Sequence, residues 1–98
     1  MKVIITPRAQ SDMEAISKFI AAESPARALT YIDEIIDRCL TLADNPERFP
    51  LAERLASKGV RKLNHGNYLI FYRVYRDRIT VARVLHAATD YAARFSGR

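Results

Sequence analysis

The side chains whose types and spacing could do chemistry lie in the last third of the chain, from Val60 onward. His86 and Asp90 stand in a His-x-x-x-Asp segment, a pairing that could move protons as general base and acid. Around them lies a second kind of chemistry. Arg61, Lys62, Arg73, Arg76, Arg78 and Arg83 fall in or beside the predicted strands, and Arg94 and Arg98 follow them. Tyr68, Tyr72 and Tyr75 are interleaved with these cations. Guanidinium groups hold phosphates and tyrosine rings stack on bases, so this stretch could meet a nucleic acid. The same arginines also read as edge-strand charge that keeps sheets from aggregating, and the residues alone leave both readings open.

The acid–base reading is weak by itself. A histidine at a strand end is more often a hydrogen-bonded structural group. No serine or cysteine nucleophile has a histidine near it in sequence, so a self-contained hydrolase is not expected. His65 falls in a turn rich in small and polar residues and is expected to face solvent.

Other chemistries are excluded more simply. Two histidines far apart and one cysteine do not make a metal site, and three glycines leave no Gly-rich phosphate loop. No cofactor or metal is expected. Cys39 falls in a predicted helical stripe, as a small buried hydrophobe would. The first residues, MKVIITPRAQ, lack the apolar core of a signal peptide, and no apolar run approaches membrane-spanning length. A cytoplasmic protein without a membrane partner is the expectation. The net charge of +5 and pI of about 9.7 suit a partner with acidic surface or phosphates. At 98 residues, positions 1–98 are read as one domain.

The elements that must position these groups are legible in order. Lys2 to Thr6 is short, β-branched and stopped by Pro7, as a strand would be. Thr6 can cap a helix that Pro7 begins, running to about Ala22, with Ala9, Met13, Ile16 and Ile20 on one face. Ser24-Pro25 repeats that punctuation. The second helix runs to about Asp44, with Ala28, Ile32, Ile35, Cys39 and Leu42 in one seam and Leu29, Ile36 and Leu40 flanking it. Asn45-Pro46 closes it. The gap between the helices forces an antiparallel hairpin. A connector to Lys58 is expected to be pinned by Phe49 and Leu51. Val60 to Leu63 then begins a sheet, His65-Gly66-Asn67 turns, and Tyr68 to Tyr75 is a strand in which all but Arg73 is apolar or aromatic. Arg76-Asp77 turns again into a last strand, Ile79 to His86.

The result is an α+β fold in the order β-α-α-β-β-β, with the helix hairpin on one face of a mainly antiparallel sheet. A two-residue turn at Arg76-Asp77 would place Tyr68, Ile70, Tyr72 and Val74 with Ile79, Val81, Arg83 and Leu85 against the helices. The opposite face would carry Leu69, Phe71, Arg73, Tyr75, Thr80, Ala82, Val84 and His86. That face is too apolar to be simply solvated, so a tail or partner is expected over it.

This order of elements, with VRKLNHGNYLIFYRVYRDRITVARVLHAATD, resembles the RelE/ParE superfamily of type II toxins, the ParE branch above all. That branch carries Gly-x-Tyr-x-x-x-Tyr-x-Val and then a strand ending in His-x-x-Arg-Asp. Gly66, Tyr68, Tyr72 and Val74, then His86, Thr89 and Asp90, stand in those places. Asp12 and Ile16 in the first helix and the Asn45-Pro46 stop fit as well. The resemblance implies a toxin neutralised by a cognate antitoxin, a ribbon-helix-helix or similar DNA-binding protein with a disordered tail. It implies DNA gyrase as target, met by binding, with DNA reached only through the antitoxin. Arg73, Arg83, Thr89, Asp90 and Arg94 are the implied target-binding residues, and Gly66, Tyr68, Tyr72, Val74 and His86 the structural motif. The RelE branch instead cuts messenger RNA on the ribosome. Its arginines fall where Tyr68 and Thr89 stand here, and neither residue supplies the positive charge that a phosphorane needs. A toxin without catalytic residues is therefore the expectation, with a RelE-type nuclease or a non-toxic antitoxin-binding module as alternatives.

Overall fold

A computed structural model describes residues 1–95; the expectation for Arg98 lies outside the described residues. Strand β1 (Lys2–Ile5) leads into α1 (Pro7–Ala21) and α2 (Pro25–Thr41), and then into β2 (Val60–His65), β3 (Tyr68–Val74), β4 (Arg78–His86) and α3 (Tyr91–Phe95). The sheet order is β1-β4-β3-β2; β1 runs parallel to β4, and the other pairs are antiparallel. This is the expected β-α-α-β-β-β fold, with small shifts of element ends and an added C-terminal helix.

The helix starts follow from their caps. The Thr6 hydroxyl accepts from the Ala9 N–H at 3.2 Å, and Pro7 occupies the first turn, where a missing N–H costs nothing. Ser24 accepts from the Arg27 N–H in the same way, ahead of Pro25. Ala9, Met13 and Ile16 of α1 and Ile35, Cys39 and Leu42 from the end of the second helix pack on Leu63, Ile70, Tyr72, Ile79, Val81 and Val84. Burial holds the Cys39 thiol up at about 12. The buried Tyr72 hydroxyl donates to the Pro46 carbonyl at 2.7 Å, and Arg61 donates to the Phe49 carbonyl at 2.7 Å, which ties the connector to the sheet. Burial raises the Tyr72 phenol pKa.

Two expectations are corrected here. Leu51 does not pin the connector: it bridges Arg61 as an added strand residue and stays exposed, while its neighbours Ala52 and Leu55 are buried. A residue paired to a strand alternates its face, so the inward position falls on Ala52.

The second correction concerns the faces of β4. Val74 pairs with Ile79 and Tyr72 with Val81, but Phe71 pairs with Arg83, which leaves Ala82 as the extra residue of a β-bulge. From Val84 onward the side chains are on the opposite face from the one expected, while Arg83 still reaches the helix side. Val84 joins the helix-side core and Leu85 the far side. The far face is covered, as its composition requires, by the molecule's own tail. Ala52, Leu55, Val60, Leu69, Phe71 and Leu85 form a second core under Tyr91, Ala92 and Phe95.

Candidate functional site

The bulge is held from the helix side. Strand β1 ends at Ile5 beside Val81, so β4 has no strand neighbour on that edge beyond this point. Thr6 donates its hydroxyl to the carbonyls of Val81 (2.9 Å) and Ala82 (3.1 Å). Asp12 of α1 accepts the Val84 N–H at 2.9 Å. The same carboxylate takes Arg83 in a two-pronged pair, Nε to Oδ2 at 2.8 Å and Nη2 to Oδ1 at 2.9 Å. Bonding to Asp12 raises the Arg83 pKa against the opposing effect of burial. Arg83 was expected to face a target; instead it is 8% exposed, and its charge is spent on Asp12.

At the β2–β3 turn a ring of aromatic groups forms. Tyr31 of α2 donates to the His65 carbonyl at 3.0 Å and lies against the His65 and Tyr68 rings; Tyr68 in turn meets His86 edge-on at 5.3 Å. Burial raises the Tyr31 pKa. His65 is not solvated as expected. Its side chain is 16% exposed, with Nε2 3.4 Å from Glu34, whose carboxyl is held below its usual range by the Arg27 hydrogen bond. Gly66 has φ +57°, and a Cβ there would come within 2.6 Å of the Tyr31 hydroxyl. His86 accepts the Ala88 N–H through Nδ1 at 3.0 Å, and its carbonyl accepts from Thr89 at 2.9 Å. Among the described residues no hydrogen bond or ion pair joins His86 to a cation or to Asp90. The motif residues Gly66, Tyr68 and His86 therefore come together as a packed corner, with Tyr72 and Val74 further along the same face of β3.

The remaining candidates gather around α3 on the other face. Tyr91 and Phe95 stand one helical turn apart and both rest on Phe71, with centroids 5.0 Å and 5.6 Å away. Tyr91 donates to the Glu53 carbonyl at 2.8 Å, and the Lys62 ammonium lies over its ring. Lys58 ties the end of α3 to the sheet: its ammonium donates to the Phe95 carbonyl at 2.8 Å, while its own carbonyl accepts Arg73 Nε at 3.1 Å. Asp90, at the start of α3, pairs with Arg54 at 3.4 Å in an exposed contact, and Arg94 in the last turn is exposed. Thr89, Asp90 and Arg94 thus lie at or on one short helix, Arg73 reaches its far end only through Lys58, and Arg83 pairs with α1 instead.

A third feature lies between α1 and α2. An open groove of about 510 Å³ is floored by Ile5, Met13, Ala28, Ile32 and Ile36 and edged by Leu29, which is 72% exposed. No helix among the described residues is long and apolar enough to cross a membrane, and no group of histidine, cysteine and carboxylate side chains among them could hold a metal ion.

The model of the ParE toxin of type II toxin–antitoxin systems, parDE, matches residues 3–91. The chain belongs to this family. The toxin is 31% identical over 90 residues to Toxin RelE3 of Caulobacter vibrioides, an alignment that covers 87% of this chain and 92% of that one. Its fold is also that of a chain from a chromosomal ParDE system of P. aeruginosa, with a TM-score of 0.74 over 88% of this chain and 95% of that one at 21% identity.

Two positioning residues of the toxin carry only a weak signal in the sequence. Asp12 stood out only as a family position, although a carboxylate beside the buried stripe of α1 and an arginine in an apolar strand are the signature of a buried pair. Lys58 ends the connector, and no local pattern marks it as the strap that secures α3.

Proposed function

We propose that this toxin arrests growth in the cytoplasm by binding DNA gyrase, and that a cognate antitoxin neutralises it by laying a segment in the α1–α2 groove. The observation that carries the binding mechanism is the setting of the last strand's basic and acid–base groups. Arg83 is locked to Asp12, and His86 is bonded to its own turn and packed edge-on against the Tyr68 ring, with no cation joined to it among the described residues. Cleavage of RNA by its 2′-hydroxyl requires a base, an acid and a cation converging on one phosphate. That convergence has no support in these contacts. A contact surface does: Arg94 is exposed on α3, a few residues after Thr89 and Asp90, and Arg73 is linked through Lys58 to the end of that helix. Such charges set encounter rate and orientation with an acidic or DNA-bound target.

The antitoxin reading rests on the family and on the apolar groove, which an extended or helical tail could fill on folding. A ribbon-helix-helix or similar DNA-binding antitoxin would carry the pair to DNA. Induced expression with and without the neighbouring gene tests the proposal. Filamentation and DNA-damage signalling, relieved by the neighbour, are expected. Rapid loss of translation would favour the RelE-type nuclease, and normal growth would favour a non-toxic module.

A further inference from the structure

The α1–α2 groove carries charge opposite to that of the molecule. The chain is +5 overall, yet the charged residues lining the groove are Glu14 on α1 and Asp33 on α2. Asp12, Asp77 and Asp90 each have an arginine partner, as does Glu34. Glu14 and Asp33 have neither an ion pair nor a side-chain hydrogen bond among the described residues. They line the same apolar-floored groove from two different helices. On α2 the apolar residues Leu29, Ile32, Ile36 and Leu40 follow one face for about 16 Å at the helical rise. Leu29 and Leu40, at the two ends, are 72% and 54% exposed. An amphipathic helix with anchors at matching intervals fits such a trough.

We infer that Glu14 and Asp33 are the specificity determinants of the groove, and that the segment it accepts is an amphipathic antitoxin helix whose apolar stripe is flanked on both sides by Lys or Arg. The inference rests on the reading that the antitoxin docks here. The rim selects at contact. The toxin's overall positive charge repels such a helix only weakly, because it is screened over about 8 Å at physiological salt. An acid-flanked helix would be attracted from afar and then meet Glu14 and Asp33 as like charges, the repulsive element on which discrimination relies.

The test uses the full-length toxin and the purified product of the gene beside it, with Kd measured by calorimetry and folding checked by circular dichroism. Glu14→Lys with Asp33→Lys is expected to weaken binding at least about tenfold. Glu53→Lys with Asp77→Lys makes the same change in net charge away from the groove and is expected to stay within about twofold. Replacing the antitoxin's flanking cations with Glu should restore binding to the groove variant. Equal weakening by both pairs would show that net charge, not the rim, is read, and would overturn the inference. So would an unchanged Kd in the groove variant when Leu29→Asp abolishes binding; the antitoxin would then sit in the groove without reading its acids. If Leu29→Asp also leaves Kd unchanged, the antitoxin docks elsewhere, and the docking reading falls with the inference. A dimer of the toxin alone that Leu29→Asp splits would assign the groove to a second copy and overturn it too.

Discussion

Asp12 and Arg83 form an ion pair largely withdrawn from solvent, with side chains 13% and 10% exposed and two bonds of 2.8 and 2.9 Å. The carboxylate also holds the Val84 N–H, beyond the point where β1 ends beside β4. One side chain therefore fixes the register of β4, the direction of Arg83 and the seat of α1.

Asp12→Ala leaves a buried guanidinium unpaired and a strand N–H unbonded. A loss of about 3–5 kcal/mol is expected in urea denaturation. Asp12→Leu combined with Arg83→Met removes both charges and should cost clearly less than the sum of the single changes. Strict additivity in that cycle would mean that the pair does not couple α1 to β4.

Gly66 and Tyr31 couple through space rather than charge. Gly66→Ala is expected to destabilise by about 1–2 kcal/mol, from the positive φ together with the close approach of the Tyr31 hydroxyl. Tyr31→Phe removes that oxygen and forfeits its bond to the His65 carbonyl, a loss of about 1 kcal/mol. In the double variant the glycine substitution should cost less than in the wild type, a difference that thermal melts would resolve.

Cys39 makes stability fall in alkali. Its thiol is held up at about 12 against an ordinary value of 9.0, so the folded state keeps a proton that the unfolded state releases. The contribution is complete below about pH 9 and declines as pH rises toward 12, by about 1.4 kcal/mol per pH unit. Tyr31 and Tyr72, also raised by burial, act in the same direction. Cys39→Ala should unfold with a shallower dependence on pH between about 9 and 12. The same slope in both proteins would show that the thiol is not the source.

The second core depends on α3. Phe95→Ala should cost about 3 kcal/mol or less, since the residue is only half-buried, and should raise the exposure of Phe71 to dyes that bind apolar surface. Arg94→Ala, exposed in the same helix, should leave the urea midpoint within about 0.5 kcal/mol of wild type and weaken toxicity. Full toxicity in a folded Arg94→Ala protein would remove α3 from the proposed target surface.

The helices were legible because their signals are local. Thr6-Pro7 and Ser24-Pro25 mark their own helix starts, and the stripes run through consecutive turns. The three-strand meander was legible for the same reason, since its turns are short. The bulge at Ala82 was not legible, because its stabilising partners, Thr6 and Asp12, lie some seventy residues away in sequence. That one extra residue reversed the sides of Val84 and Leu85. The cover over the far face was expected in kind, because Leu69 and Phe71 needed one. Its identity followed from Tyr91 and Phe95 at i, i+4, a helical spacing too short to stand out by itself. Of the site, the motif corner could be read from Gly66, Tyr68 and His86. The link from Arg73 through Lys58 to Phe95 could not, because it runs through main-chain carbonyls.

We propose that this toxin acts by binding and not by cutting RNA. The most direct test sets the purified, folded toxin and its His86→Ala variant side by side in two assays, gyrase supercoiling and ribosome-dependent messenger RNA cleavage. Inhibition of supercoiling by both proteins, with messenger RNA left intact, is the expected result. Clean RNA cuts that His86→Ala abolishes, with supercoiling unaffected, would contradict it.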